Sequence, residues 1–226
     1  MTQDTATREG LILAIEAAVR GGSIALVQNS HEIAAWHGKE AVSRAEELLP
    51  NIADLLEQTK IRKKDVKLIA VSNGPGSYTG IRIGLSTALG LARALEIECV
   101  GVSLLPAIAI MHSRGSKCLV VIPIGRTEFC WQQFTNSDGI NACGPPMTGL
   151  PKDFLKHCHE AAGYDLLMQH DAYEAVMDVA EFNDFRSRAY NCGRDLALCV
   201  GIGARRITSD LTPLYVRNSQ FSSGGV

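Results

Sequence analysis

The apolar run at residues 11–15, Leu-Ile-Leu-Ala-Ile, has no polar break, the pattern of a strand buried on both faces. Two further strands are predicted at 23–28 and 32–37, with Asn29 and Ser30 between them. These residues suit a two-residue hairpin, so the two strands should pair antiparallel. Over 41–59 the apolar positions Ala41, Ala45, Leu48, Leu49, Ile52, Leu55 and Leu56 gather on one side of a helix, with Ser43, Glu47, Asp54 and Glu57 opposite. Pro50 lies inside this helix and, lacking an amide hydrogen, is expected to kink it. After the basic loop Arg62-Lys63-Lys64 come a strand at 68–72, a glycine-rich turn, a helix at 79–95 and a strand at 99–103.

The order βββαβαβ fits an α/β fold on a mixed sheet with an antiparallel edge. A weaker echo follows, with strands at 117–122 and 128–134 and a helical stretch at 153–162, expected to form a second, degenerate lobe of similar plan. Residues 104–112 read as a connecting helix and Ser113-Arg114-Gly115-Ser116 as a loop. The boundary placed there gives an N-terminal lobe over 1–103 and a C-terminal lobe over 104–217. So short a linker predicts lobes packed on each other. The polar, glycine-rich tail 218–226 is expected to be disordered.

With 226 residues, of which 46% are hydrophobic and 20% charged, the chain can bury a sizeable core, which excludes disordered, collagen-like and disulfide-scaffold classes. Its 22 basic and 24 acidic residues leave a net charge of -2, whereas a stand-alone nucleic-acid binder carries a basic excess. Any contact with RNA therefore needs a partner. No apolar stretch approaches the roughly 20 residues that span a bilayer, and residues 1–10 lack the basic-then-apolar order of a signal peptide, so a cytoplasmic protein is expected. The seven cysteines all lie beyond residue 98 and form no Cys-x-x-Cys pair, which fits small buried hydrophobes in a reducing compartment.

The most informative segment is Asn73-Gly74-Pro75-Gly76-Ser77-Tyr78-Thr79-Gly80-Ile81-Arg82-Ile83-Gly84, between a buried strand and a helix. Its glycines and the free amides of the helix start could cradle a phosphate, or the turn could be structural, with Ser77 or Thr79 as the helix cap. It matches neither the P-loop nor the dinucleotide spacing. The helix sets Ile81, Leu85, Ala88, Ala92 and Leu95 against the sheet, yet its opposite face, Ile83, Thr87, Gly90 and Ala94, is uncharged. Arg82, Ser86 and Arg93 are confined to a narrow strip. Small uncharged residues on a second face predict a cover there, supplied by the first helix, by the second lobe or by another subunit.

The run 74–84 resembles the signature of the TsaB (YeaZ) family, the dimerisation subunit of the bacterial tRNA threonylcarbamoyladenosine machinery. The resemblance extends to Ile12-Leu13-Ala14-Ile15, to residues 46–50, to Val100-Gly101-Val102-Ser103 and to Pro213-Leu214-Tyr215-Val216-Arg217, and is loose over 117–212. It implies a two-lobed fold of the actin and sugar-kinase type, ribonuclease H-like in plan, and a subunit without chemistry or cofactor of its own. That subunit pairs with a TsaD-like transferase, is joined by a TsaE-like ATPase, and meets tRNA only through the complex, away from membranes. The partner surface it implies comprises Glu47, Leu48 and Pro50 of the Leu-Leu-Pro helix with Tyr78, Thr79, Arg82, Ile83, Thr87, Gly90 and Ala94. The same apolar face is compatible with a homodimer of the isolated chain.

The departures from the family pattern bear on nucleotide chemistry. Where relatives begin the nucleotide-lobe loop with Asp-Thr-Ser, this chain has Glu16-Ala17-Ala18, and where they read His-Ser before Leu-Leu-Pro it has Arg44-Ala45. The second-lobe Asp-Ala-Arg is replaced by Pro123-Ile124-Gly125, with Arg126 and Glu128 retained. An actin-type ATPase needs acids on both sides of its cleft, so ATP hydrolysis by this chain is not expected. A small ATP-binding kinase or ATPase of the same fold is the alternative reading.

Other constellations carry little. The histidines, His31, His37, His112, His157, His159 and His170, include no His-x-x-x-His pair, and His157 and His159 are expected to face solvent. Ser77 stands before a helix as a nucleophile would, but its surroundings are not Gly-x-Ser-x-Gly. Arg62-Lys63-Lys64 and Arg205-Arg206 read as solvated loops that could touch tRNA phosphates once docked.

Overall fold

The computed structural model describes residues 10–38, 44–125, 127–207 and 210–216, with the backbone alone at 44–46. The tail at 218–226, Arg217, Arg126 and the first turn of the helix expected from residue 41 lie outside the described residues.

The leading apolar run becomes β1 (Leu11–Glu16), buried along its whole length because strands flank it on both sides. β2 (Ser23–Gln28) pairs with it antiparallel, and β3 (His31–His37) pairs with β2. Asn29 and Ser30 both take positive φ, 52° and 62°, as the two-residue hairpin requires. On the other side β4 (Val66–Gly74) and β5 (Glu98–Ser103) run parallel to β1, giving the order β3-β2-β1-β4-β5.

A second sheet repeats this plan. Its centre is β6 (Lys117–Ile124), with β7 (Glu128–Asn136) and then β8 (Ile140–Ala142) antiparallel on one side. β10 (Asp165–Met168) and β11 (Ala189–Asn191) run parallel to it on the other, and β9 (Met147–Gly149) adds to β7. The order β8-β7-β6-β10-β11 is the order of the first sheet over again.

Alternation along the strands sets the layers. Leu13, Ile15, Ile24, Leu26, Ile69 and Val71 face outward against α1 (Arg44–Gln58) and α2 (Tyr78–Leu95). Ile12, Ala14, Ala25 and Val27 face inward and share one core with Val120, Ile122 and Cys130 of the second sheet. Between the sheets lie α3 (Leu104–His112) and α6 (Leu196–Gly203), while α4 (Pro151–Glu160) covers the far face of the second sheet; a short α5 (His170–Glu174) follows β10.

The helix α6, Leu-Ala-Leu-Cys-Val-Gly-Ile-Gly, comes from the C-terminal part of the chain yet packs on β1 and β2. A Cβ at Gly201 would stand 2.7 Å from a methyl of Val27, so the helix approaches as closely as it does because no side chain intervenes. Its first turn is tied down by the buried Ser23 hydroxyl, which accepts from the Ala197 amide at 3.0 Å. Among the described residues no helix is long and apolar enough to cross a membrane.

Candidate functional site

The glycine turn leaves the end of β4 and enters α2. Ser77 takes the cap: its Oγ accepts from the Gly80 amide at 3.3 Å, and Thr79 lies exposed two residues on. Beneath the turn lies the loop after β1. The Ser77 amide donates to the Ala18 carbonyl at 2.7 Å, and a Cβ at Gly76 would stand 2.7 Å from that of Ala18. Only glycine permits this approach.

The loop after β1 is filled from within. Glu16 is 1% exposed, and its Oε1 accepts from the amides of Ala18 and Val19 at 2.5 and 2.8 Å. Ala17, Ala18 and Val19 are buried. The amides that could receive a phosphate are thus occupied by the chain's own carboxylate. A pocket between the lobes, lined by Glu16, Arg20, His37, Gln169, Asp171 and Arg194 among others, encloses about 20 Å³, room for about one water. Across it His37 Nε2 meets Asp195 Oδ1 at 2.9 Å, and within the second lobe Arg194 meets Asp171 at 2.7 Å. Pro123 pairs with Phe129 in the β6–β7 ladder.

The two faces of α2 are unlike. Gly80, Ile81, Gly84, Leu85, Ala88 and Ala92 are buried on the sheet. On the second face Ile83 and Thr87 are half-buried, while Gly90 and Ala94 are exposed, and a Cβ at Gly90 would meet nothing within 4 Å. α1 lies beside α2 and supplies part of the cover; among the described residues the second sheet supplies none, because it packs on the other side of the first sheet. Tyr78, Thr79, Arg82, Ser86 and Leu89 form the open strip of α2.

On α1 the sequence reading needs correction. Leu48, expected on the partner surface, is 1% exposed in the core, and Leu49, expected in the buried stripe, is 51% exposed. Leu48 shares its stripe with Ile52, Leu55 and Leu56, and the next residue is turned about 100° away from it. Pro50 is exposed and Glu47 half-buried.

The C-terminal segment 210–216 crosses the glycine turn as an extended strap. Leu214 N donates to the Asn73 carbonyl at 2.7 Å, and Asn73 Nδ2 donates to the carbonyls of Asp210 and Thr212, both at 3.2 Å. The strap brings Tyr215 to Tyr78, with ring centroids 4.7 Å apart. Only the Pro-Leu-Tyr-Val-Arg resemblance hinted at this, since so short a segment has no periodicity.

Elsewhere His157 departs from the expected solvent-facing role. It is half-buried, with Nδ1 3.3 Å from Glu160 and Nε2 3.2 Å from Gln133, and lines a cavity of about 120 Å³ with Trp131, Cys143 and Met147. His159 is exposed against Phe185. Five cysteines are buried, Cys99 is half-buried and Cys143 is exposed, the last contrary to expectation. Burial pushes the thiols of Cys99 and Cys118 up to about 11 and those of Cys130, Cys158 and Cys192 to about 12. Among the described residues no group of three or more His, Cys, Asp or Glu could hold a metal ion.

Two sheets of one plan, helices on their outer faces and a helix pair between them define the two-lobed fold of actin and the sugar kinases. A family model described as tRNA N6-adenosine threonylcarbamoyltransferase, TsaD, matches residues 40–146. The tRNA threonylcarbamoyladenosine biosynthesis proteins TsaB of Buchnera aphidicola (Acyrthosiphon pisum, strain APS) and of Escherichia coli K12 are each 31% identical over 130 residues, 56% of this chain. That stretch covers 58% and 56% of the two relatives, so the chain spans little more than half of their length. YeaZ from Pseudomonas aeruginosa superposes with a TM-score of 0.65 at 20% identity, over 92% of this chain and all of that one. By these comparisons the chain is similar to TsaB proteins over part of its length and shares the fold of YeaZ.

Proposed function

We propose that this chain is a non-catalytic partner subunit that binds and activates a TsaD-like transferase for threonylcarbamoylation of the adenosine next to the tRNA anticodon. The observation that carries the reading is the second face of α2, where Ile83, Thr87, Gly90 and Ala94 carry no charge and Gly90 and Ala94 are open. Such a face lets a second helix approach closely. The stretch 40–146 that matches the TsaD family model contains both α1 and α2. A TsaD-like protein would therefore carry a related helix pair, and two related pairs can meet about a pseudo-two-fold axis. The contact set is the one expected from sequence, with Leu49 in the place of Leu48. A TsaE-like ATPase joins as third component, tRNA is met through the assembly in the cytoplasm, and the isolated chain can form a homodimer through the same face.

Two features speak against the kinase or ATPase alternative. Glu16 occupies the amides of the loop after β1, and the pocket it lines encloses only about 20 Å³. Calorimetry with magnesium and ATP should give no binding heat; micromolar affinity with turnover would favour the alternative.

The decisive experiment is light scattering behind size exclusion, on this chain with the TsaD-like protein of the same organism. Wild type should give a discrete complex and Gly90→Glu none, with the variant monomer folded. A Gly90→Glu complex of unchanged affinity would remove the surface from consideration.

A further inference from the structure

Arg82 is the one cation between Lys67 and Arg93, on a stretch otherwise without charge. Its guanidinium carbon stands 3.9 Å from the centroid of the Tyr78 ring, and its Nε donates to the Tyr215 hydroxyl at 3.3 Å. Tyr78 and Tyr215 are themselves in ring contact, and both are exposed. Among the described residues the groups acting on Arg82 are these two tyrosines, and no carboxylate pairs with it. A long side chain held by a ring and a hydroxyl has already lost most of its rotamer freedom, which lowers what binding must spend to order it. Its two terminal nitrogens remain as a fork whose geometry matches a carboxylate.

The third part of this arrangement comes from the other end of the chain. Tyr215 is placed by the strap, whose Leu214 amide and Asn73 contacts pin it to the glycine turn. At Gly74 a Cβ would stand 2.7 Å from the Leu214 carbonyl oxygen, so the turn is shaped to let the strap pass. The docking face of α2 therefore continues onto the strap at Leu214 and Tyr215, both exposed.

Resting on the reading of this face as the TsaD-like subunit's contact, we infer that Arg82 is a pre-oriented anchor for an acidic side chain of that subunit, and that Tyr215 is its positioning residue. A phosphate of RNA is the other anion that an arginine fork could receive. Among the described residues the neighbours acting on Arg82 are aromatic and none is a second cation, which fits a single carboxylate at a protein interface, where arginine and tyrosine concentrate binding energy, rather than a polyanion, which calls for a row of cations.

The experiment measures the dissociation constant and dissociation rate of the complex with the TsaD-like protein for Arg82→Ala, Tyr215→Ala, Tyr215→Phe, the Arg82→Ala/Tyr215→Ala pair and Gly90→Glu. Thermal unfolding of each variant alone runs in parallel. Arg82→Ala and Tyr215→Ala should each weaken binding about tenfold or more, mainly through faster dissociation. The pair should lose little more than either single variant, because the tyrosine acts through the arginine. Tyr215→Phe, which keeps the ring and loses the hydroxyl, should fall between wild type and Tyr215→Ala. Unchanged unfolding midpoints separate this role from a structural one.

Wild-type affinity for Arg82→Ala while Gly90→Glu abolishes binding would overturn the anchor and leave the docking face standing. Fully additive losses in the pair would overturn the positioning role. Loss of binding to unmodified tRNA by Arg82→Ala, with the protein complex intact, would assign the arginine to phosphate instead. Wild-type affinity for Gly90→Glu would remove the face and the anchor together.

Discussion

The backbone of Gly76 rests on Ala18: a Cβ built at Gly76 would stand 2.5 Å from the Ala18 carbonyl oxygen, the atom that also accepts the Ser77 amide. Two turns of the first lobe thus hold each other backbone to backbone, and the signature glycine serves that contact. Gly76→Ala should force the loop after β1 outward and cost about 1–3 kcal/mol, the usual range for overpacking. Urea unfolding reads this as a lower midpoint at unchanged slope. An unchanged midpoint would mean the two turns are not in contact in solution.

The neighbours Leu48 and Leu49 should separate folding from docking. Leu48→Ala empties a core position and should cost about 2–5 kcal/mol, whereas Leu49→Ala should stay within about 0.5 kcal/mol of wild type and weaken only the complex. Equal destabilisation by the two would contradict the orientation of α1.

Gly90 sits inside α2 with open space where its side chain would be. Alanine there should stabilise the monomer by about 0.5–1 kcal/mol, since it restricts the unfolded chain and meets nothing in the folded one. A loss of stability instead would show that something already covers the face in the isolated protein.

A pH dependence follows from His112 at the end of α3. Burial, and then the charge of Arg114, hold its pKa below the ordinary 6.5, while Asp195 opposes them. The unfolded chain takes up this proton near pH 6.5 and the folded chain only at lower pH, so stability from this group is complete above that value and is lost as pH falls through it. Thermal unfolding midpoints between about pH 7.5 and 5.5 should fall less steeply for His112→Asn than for wild type. Identical slopes would show that this histidine titrates alike in both states.

Thiol labelling checks the cysteine placement. Under native conditions one of the seven cysteines, Cys143, should react quickly, with Cys99 slower and the other five protected until unfolding. Rapid labelling of Cys130 or Cys199 would place the second sheet or α6 nearer to solvent than described.

Most of the first lobe was legible from sequence, because its strands are uninterrupted apolar runs and α2 is long enough for its buried stripe to repeat. The second lobe was only half legible: β10 and β11 have four and three residues, too few to show alternation. α6 escaped altogether, since a helix apolar on every side has no amphipathic period. The strap carries no pattern at all, and its role appears only once Leu214 is seen bonded to Asn73. The inversion of Leu48 and Leu49 shows why a docking surface resists sequence reading, because two adjacent leucines differ only in which way the helix turns them.

The placement of α6 has a consequence for the order of events at the ribosome. The inner side of β1 and β2, with Ile12, Ala14, Ala25 and Val27, is closed by residues 196–203, nearly the whole length of the chain later. The half of the protein that is synthesised first must therefore wait, with its inner apolar surface uncapped, until the last helix emerges. Such long-range closure slows folding and leaves the nascent lobe open to chaperones and to wrong partners.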